Sequence, residues 1–218
     1  MGKGWARQEA KKNELAQAIE RASLWIRYHQ QIAIWAGLGL AAAITVGGML
    51  IYRHFTATED TWGMFAIAQS LAYSGRPDQA VQLLQKLEEE HPQALAAGHG
   101  ELLAGDLYFQ QGKFKEALDA YRQLSERTSE KTLLATSLAD MGITQESMGD
   151  FKAAAETDQR FLDAYQDTFL APQVHASLAR SLASLGDAEK AKAAYERIVF
   201  LYPDTYWAQW AKERLNKG

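Results

Sequence analysis

The sequence contains no cysteine, which excludes disulfides and thiolate metal sites. It has only four prolines, so little interrupts a helix. Valine, isoleucine and threonine are sparse beside alanine, leucine, glutamine, glutamate and lysine. Straight-chain side chains keep their rotamer freedom in a helix, and this balance predicts an all-α protein. Catalytic constellations are missing as well. The five histidines (His29, His54, His91, His99, His175) are dispersed and form no H-E-x-x-H pair. No G-x-S-x-G elbow and no G-x-x-x-x-G-K-[ST] phosphate loop occur. The stretch Gly37–Ala42 matches G-x-G-x-x-A, but no strand precedes it and it lies inside an apolar run. The sequence therefore predicts no enzyme, cofactor or metal site. Glu88-Glu89-Glu90 reads as a solvated helix end, and Arg122, Arg127 and Lys131 read as surface charges.

Charge is absent from one long run and unevenly divided around it. Ile32–Tyr52 (IAIWAGLGLAAAITVGGMLIY) has no charged residue. As a helix rising about 1.5 Å per residue it spans roughly 31 Å, the hydrocarbon thickness of a bilayer. Trp25, Tyr28, Trp35 and Tyr52 stand near its ends, where amphipathic rings favour the headgroup layer. Some thirty residues precede the run, and the exit at Arg53–Ala57 is a poor cleavage site, so it reads as a retained transmembrane helix over 32–52. Lys3, Arg7, Lys11, Lys12, Arg21 and Arg27 come before it, and only Arg53 stands close behind it. The positive-inside rule then places the N-terminus in the cytoplasm and the rest across the membrane, which in a bacterium is the periplasm. Gly39, Ala43 and Gly47 are spaced by four, a track that lets a second membrane helix approach. Residues 1–31 predict a basic cytoplasmic helix at the membrane surface, with Leu15, Ile19, Ala22 and Ile26 on one face. Beyond the run, residues 53–218 hold seventeen Lys/Arg against twenty-four Asp/Glu. Such an acidic domain is a poor ligand for nucleic acid.

Residues 53–60 read as a linker, and the chain beyond them is periodic. Gly75-Arg-Pro-Asp-Gln-Ala80, Gly112-Lys-Phe-Lys-Glu-Ala117, Gly149-Asp-Phe-Lys-Ala-Ala154 and Gly186-Asp-Ala-Glu-Lys-Ala191 recur with their glycines 37 residues apart. A glycine that ends a helix in the left-handed conformation, then an alanine where two helices nearly touch, describes a helical hairpin. Four and seven residues past each alanine come Leu84 and Leu87, Tyr121 and Leu124, Asp158 and Phe161, Tyr195 and Ile198. That is one helical face, apolar except at Asp158. Seven residues before each glycine stands Ala68, Gly105, Gly142 or Ala179. Pro92 and Pro203 close the first and fourth units, and Asp204-Thr205 can cap a last helix over 204–218.

These offsets resemble the tetratricopeptide repeat (TPR): small at its eighth position, glycine at its fifteenth, alanine at its twentieth, proline near its thirty-second. The resemblance covers 61–203 and implies an α-solenoid of four helix-turn-helix repeats. The departure is a period longer than the family's 34, with about three extra residues expected at the connection from one hairpin to the next. The third unit departs further, with Gln145 and Asp158 at positions usually apolar, where looseness or a polar contact is expected. In TPR proteins the first (A) helices line a concave groove. The resemblance carries partner binding onto Phe65 and Gln69, onto His99, Leu102, Asp106 and Phe109, onto Glu146, and onto Gln173 and Arg180. The implied occupants are proteins or peptides. The whole layout resembles the YfgM-like ancillary subunit family of the bacterial Sec translocon. That implies an inner-membrane scaffold passing exported chains to periplasmic chaperones, in contact with membrane lipid and other inner-membrane subunits. The last repeat is also similar in style to envelope proteins of the Tol-Pal and outer-membrane assembly machineries. The alternative is a structural accessory subunit of another envelope complex, held by the membrane helix.

Overall fold

The structure, a computed structural model, describes Glu20, Arg21, Leu24, Trp25 and residues 27–216. The apolar residues expected on the surface helix, Leu15, Ile19, Ala22 and Ile26, lie outside the described residues. The chain divides into two compact units, 1–57 and 58–218. Among the described residues, nine helices of ten residues or more account for the regular structure: α1 (Gln30–Tyr73), α2 (Pro77–Glu90), α3 (Leu95–Gln110), α4 (Phe114–Arg127), α5 (Lys131–Ser147), α6 (Phe151–Tyr165), α7 (Ala171–Ser184), α8 (Ala188–Leu201) and α9 (Tyr206–Leu215).

In the first unit, the stretch Gln30–Met49 of α1 has a mean hydropathy of 1.8 and none of it is buried against other protein. By length and composition it can cross a membrane. The expected linker at 53–60 is helical, and α1 continues through it. The reason is local: no glycine or proline stands between Gly48 and Gly63, so nothing in the sequence breaks the helix there.

The second unit is a stack of hairpins. The end of α1, α3, α5 and α7 supply the A helices, and α2, α4, α6 and α8 the second, or B, helices. Gly75, Gly112, Gly149 and Gly186 turn each corner with φ between 73° and 79°, the left-handed region that a Cβ would strain. The residue after each glycine donates its N–H back into the ended helix. Arg76 reaches the Leu71 carbonyl, Lys113 that of Tyr108, Asp150 that of Gln145 and Asp187 that of Leu182, at 2.9–3.1 Å. This is the Schellman closure, which satisfies carbonyls that a helix end leaves open. At the next helix start Asp150 and Asp187 cap with their carboxylates, while Pro77 begins α2 with no N–H to satisfy.

Ala80, Ala117 and Ala154 are fully buried and Ala191 nearly so, as helices in close contact require. The small A-helix residue makes room for the side chain four past that alanine. A Cβ on Gly105 would lie 2.4 Å from the Tyr121 ring, and one on Gly142 would lie 2.0 Å from Asp158 Oδ1. The third hairpin therefore buries Asp158 and Gln145, and neither is offered to an outside partner.

The long repeat is not explained by connections alone. The connections 91–94, 128–130 and 166–170 differ in length, and α3, α5 and α7 compensate with 16, 17 and 14 residues. The longest A helix comes after the shortest connection. The added residues are thus shared between connection and A helix. Finally, α9 begins on Thr205, whose hydroxyl accepts the Ala208 N–H at 3.3 Å. It buries Ala208 and Ala211 and leaves Gln209, Lys212 and Glu213 exposed, closing the stack with a polar face.

Candidate interaction face

The nine residues assigned to the groove sit on A helices and share one degree of burial. Phe65 and Gln69 on α1, His99, Leu102, Asp106 and Phe109 on α3, Glu146 on α5, and Gln173 and Arg180 on α7 are all half-buried. Helices α3, α5 and α7 lie side by side, each touching the next. At the first end of the row, Trp62 and Phe65 meet edge to face at 5.7 Å, and His99 of the next repeat lies 5.5 and 6.2 Å from the two rings. Phe109 meets Phe114 at 5.2 Å and, with Leu102, packs on the core that α4 to α7 share.

Between α3 and α5 the face opens into a cavity of about 170 Å³ lined by Asp106, Phe109, Tyr121, Asp140, Ile143 and Thr144, with Gln110 at its edge. Tyr121 reaches through from α4 and donates its hydroxyl to Asp106 at 2.7 Å. Burial raises the Asp106 carboxyl above its usual range, against the pull of that hydrogen bond. Burial, with Asp106 nearby, pushes Asp140 up to about 7. Phe109 and Ile143 give the cavity an apolar wall. It can hold an aliphatic or aromatic side chain next to a cationic one.

Farther along, Glu146 and Arg180 turn their charges on each other. Arg180 Nε and Nη2 donate to the two Glu146 oxygens at 2.6 and 2.7 Å, and Ser177 adds a bond at 3.2 Å. Arg180 also lies over the Trp210 ring at 5.8 Å, with Arg214 on the same ring at 5.4 Å. This clasp joins the third repeat, the fourth and α9. Beside it, Asp158 has both oxygens buried without a hydrogen-bond partner, and burial pushes its carboxyl up to about 7.

Several residues behave differently from their sequence reading. Arg127, expected as a plain surface charge, bridges Glu88 of α2 (3.1 Å) and the buried Glu101 of α3. Glu88 is accordingly held rather than freely solvated. Burial pushes Glu101 up to about 7 although Arg127 pulls it down. The sequence period carries no signal for this bridge, whose members lie 26 and 39 residues apart. His175 is buried beside the Tyr202 ring at 5.9 Å, and burial drives its pKa down to about 4. In the first unit, Gly39 and Ala43 are exposed and Gly47 half-exposed, and a Cβ added at Gly39 or Gly47 would meet nothing within 4 Å.

The architecture defines a class, a solenoid of helical hairpins with glycine corners. The chain belongs to the tetratricopeptide repeat family: one family model matches residues 65–130 and again 139–206, and a second matches 99–167. No curated protein sequence matches it. Among solved structures it is similar to a MamA double mutant, at 14% identity over 66% of this chain and 76% of that one, with a TM-score of 0.57. It is also similar to YrrB, described as a TPR protein with an unusual peptide-binding site, at 18% identity over 64% and 68%, with a TM-score of 0.52. A tetratricopeptide repeat protein from Parabacteroides merdae aligns at 14% identity over 73% and 60%, with a TM-score of 0.63.

Proposed function

We propose that this chain is a membrane-anchored scaffold whose A-helix face holds a segment of a protein partner. The observation that carries the reading is the row of half-buried side chains across α1, α3 and α5, opening into the cavity at Asp106, Phe109 and Asp140. Core packing leaves these groups partly open, and they combine apolar wall with directional polar atoms, the mixture that peptide recognition uses. The anchor is the 20-residue apolar stretch of α1, which no other described residue covers. Lys/Arg placement directs the repeats to the periplasm of a bacterial inner membrane. The likeness in layout to the Sec-associated family suggests newly exported chains, and the chaperones that receive them, as partners. The open Gly39/Ala43/Gly47 track favours a second reading, an accessory subunit docked through its membrane helix.

A photoreactive residue at Phe109 or His99 of the membrane-embedded chain tests the groove. Partner polypeptides should be captured there and lost on Asp106→Lys. Equal capture from Gln209 on α9 would sink the assignment. Replacing residues 32–52 with an unrelated membrane helix should leave that capture intact, whereas an accessory subunit would lose its complex. Alkaline carbonate should leave the full chain in the membrane pellet. Protease added outside spheroplasts should digest the repeats.

A further inference from the structure

The opposite face of the repeat unit, made by the B helices, has two grooves at equivalent places two repeats apart. One, of about 230 Å³, runs between α2, α3 and α4; the other, of about 450 Å³, runs between α6, α7 and α8. Position for position they match: Glu101 with His175, Tyr108 with Leu182, Glu116 with Lys190, Gln123 with Arg197. Their charges are opposite. The first is lined by Glu88, Glu101, Glu116 and Asp119 and by no basic residue. The second is lined by Lys190 and Arg197, with Asp163 as its one acid.

Arg127 already holds Glu88 and the buried Glu101, so the acidic side of this complementarity rests on Glu116 and Asp119. Among the described residues Glu116 and Arg197 make no ion pair. Asp119 and Lys190 have only exposed partners three residues away on or beside their own helix, Arg122 at 3.4 Å and Asp187 at 2.6 Å. Such short-range surface pairs are weak and exchange readily for a partner across an interface. The equivalent place between the two grooves presents Arg122, Glu156 and Arg160, all exposed and of both signs.

We propose that two copies of this chain associate through these outer faces about a two-fold axis, the acidic α2/α4 groove of each lying over the basic α6/α8 groove of the other. A two-fold axis through the middle of the stack exchanges its two ends, so one complementary contact is made twice. Near the axis, where like must face like, the mixed signs let an arginine of one copy meet Glu156 of its partner. The contact is polar and steered by charge, so it is salt-sensitive. It leaves the A-helix face open and does not depend on what that face binds.

With no native cysteine, the chain permits a clean test. Full-length Glu116→Cys and Lys190→Cys chains, differently tagged and mixed in detergent at low salt, should form the mixed disulfide. The yield should be several-fold above that of Lys190→Cys with Gln110→Cys on the opposite face. Light scattering should give a dimer mass that falls to monomer in about 1 M salt, where the Debye length is about 3 Å. Reversing the acidic side (Glu116→Lys with Asp119→Lys) should abolish the dimer, and adding Lys190→Glu with Arg197→Glu should restore it. A monomeric full-length chain at low salt, a mixed disulfide no commoner than the control, or failure of the double reversal to restore association each overturns the proposal. So does capture of Glu116→Cys by a different polypeptide, which assigns the groove another occupant.

Discussion

The tightest requirements in this molecule fall on single glycines. Gly105 and Gly142 sit where an added methyl would enter the Tyr121 ring or the Asp158 carboxylate. Gly105→Ala and Gly142→Ala should each destabilise by about 1–3 kcal/mol, the usual cost of overpacking, and thermal unfolding would reveal it. A substitution at Gly112 fails for another reason, since its φ of 73° strains any side chain while space around it is open. Asp158 carries the sharpest pH consequence at this scale. Burial raises its folded pKa to about 7, above the value in an unfolded chain, so between about pH 4 and 7 the folded state binds the extra proton. Its contribution is therefore greatest below the unfolded pKa and is lost as pH rises through the folded one. Asp140 and Glu101 act in the same sense. His175, its pKa lowered by burial to about 4, acts in the opposite sense. The three carboxyls together should nevertheless make stability fall as pH rises from about 4 to 7, and Asp158→Asn should flatten that fall. A profile unchanged by the substitution would show that Asp158 is not its source.

Between elements, ion pairs tie one hairpin to the next. Arg127 holds the buried Glu101 and, through Glu88, the preceding B helix. Arg127→Ala leaves Glu101 without its cation in a buried site, and a loss of about 2 kcal/mol or more is expected. Because Glu101 is charged only above its raised pKa, the loss should be larger at pH 8 than at pH 6, and Glu101→Gln should suppress that difference. Equal losses at both pH values would refute this account. These links are invisible in the sequence for a physical reason. Periodicity reports which side chains share a helical face. Glu146 with Arg180, and Arg127 with Glu88, are chosen by stacking across 34 and 39 residues, where no local pattern operates. The corners are legible because glycine and the buried alanines act within one turn of their own position. The helix through 53–60 escapes the sequence reading because its polar residues resemble a break, although only glycine or proline would make one.

As a whole, the repeat unit is a chain of neighbours. Each hairpin touches only those beside it, so a repeat can be removed in register. Deleting residues 149–185 joins Met148 to Gly186 and brings Gly142 opposite Tyr195, the pairing Gly105 already makes with Tyr121. Circular dichroism should show that protein helical and melting cooperatively. Removing thirty residues from the same start should destroy the melt, because it breaks the 37-residue spacing. At this scale the hairpin count, the capping helix and the membrane-length run can be read from the sequence. Hidden from it are the cavity at Asp106 and Asp140 and the clasp on Trp210, which exist only once separate hairpins have been set against each other.

The four corners are built alike, whereas the joints at the other end of the hairpins differ in length and are absorbed by the helices they lead into. One rim of the solenoid is therefore a fixed ruler and the opposite rim an adjustable one. Foreign loops, tags or probes should be accepted after Gln166, in the longest joint, where Phe169 already stands 83% exposed. The same insertions at Asp150 should jam the stack.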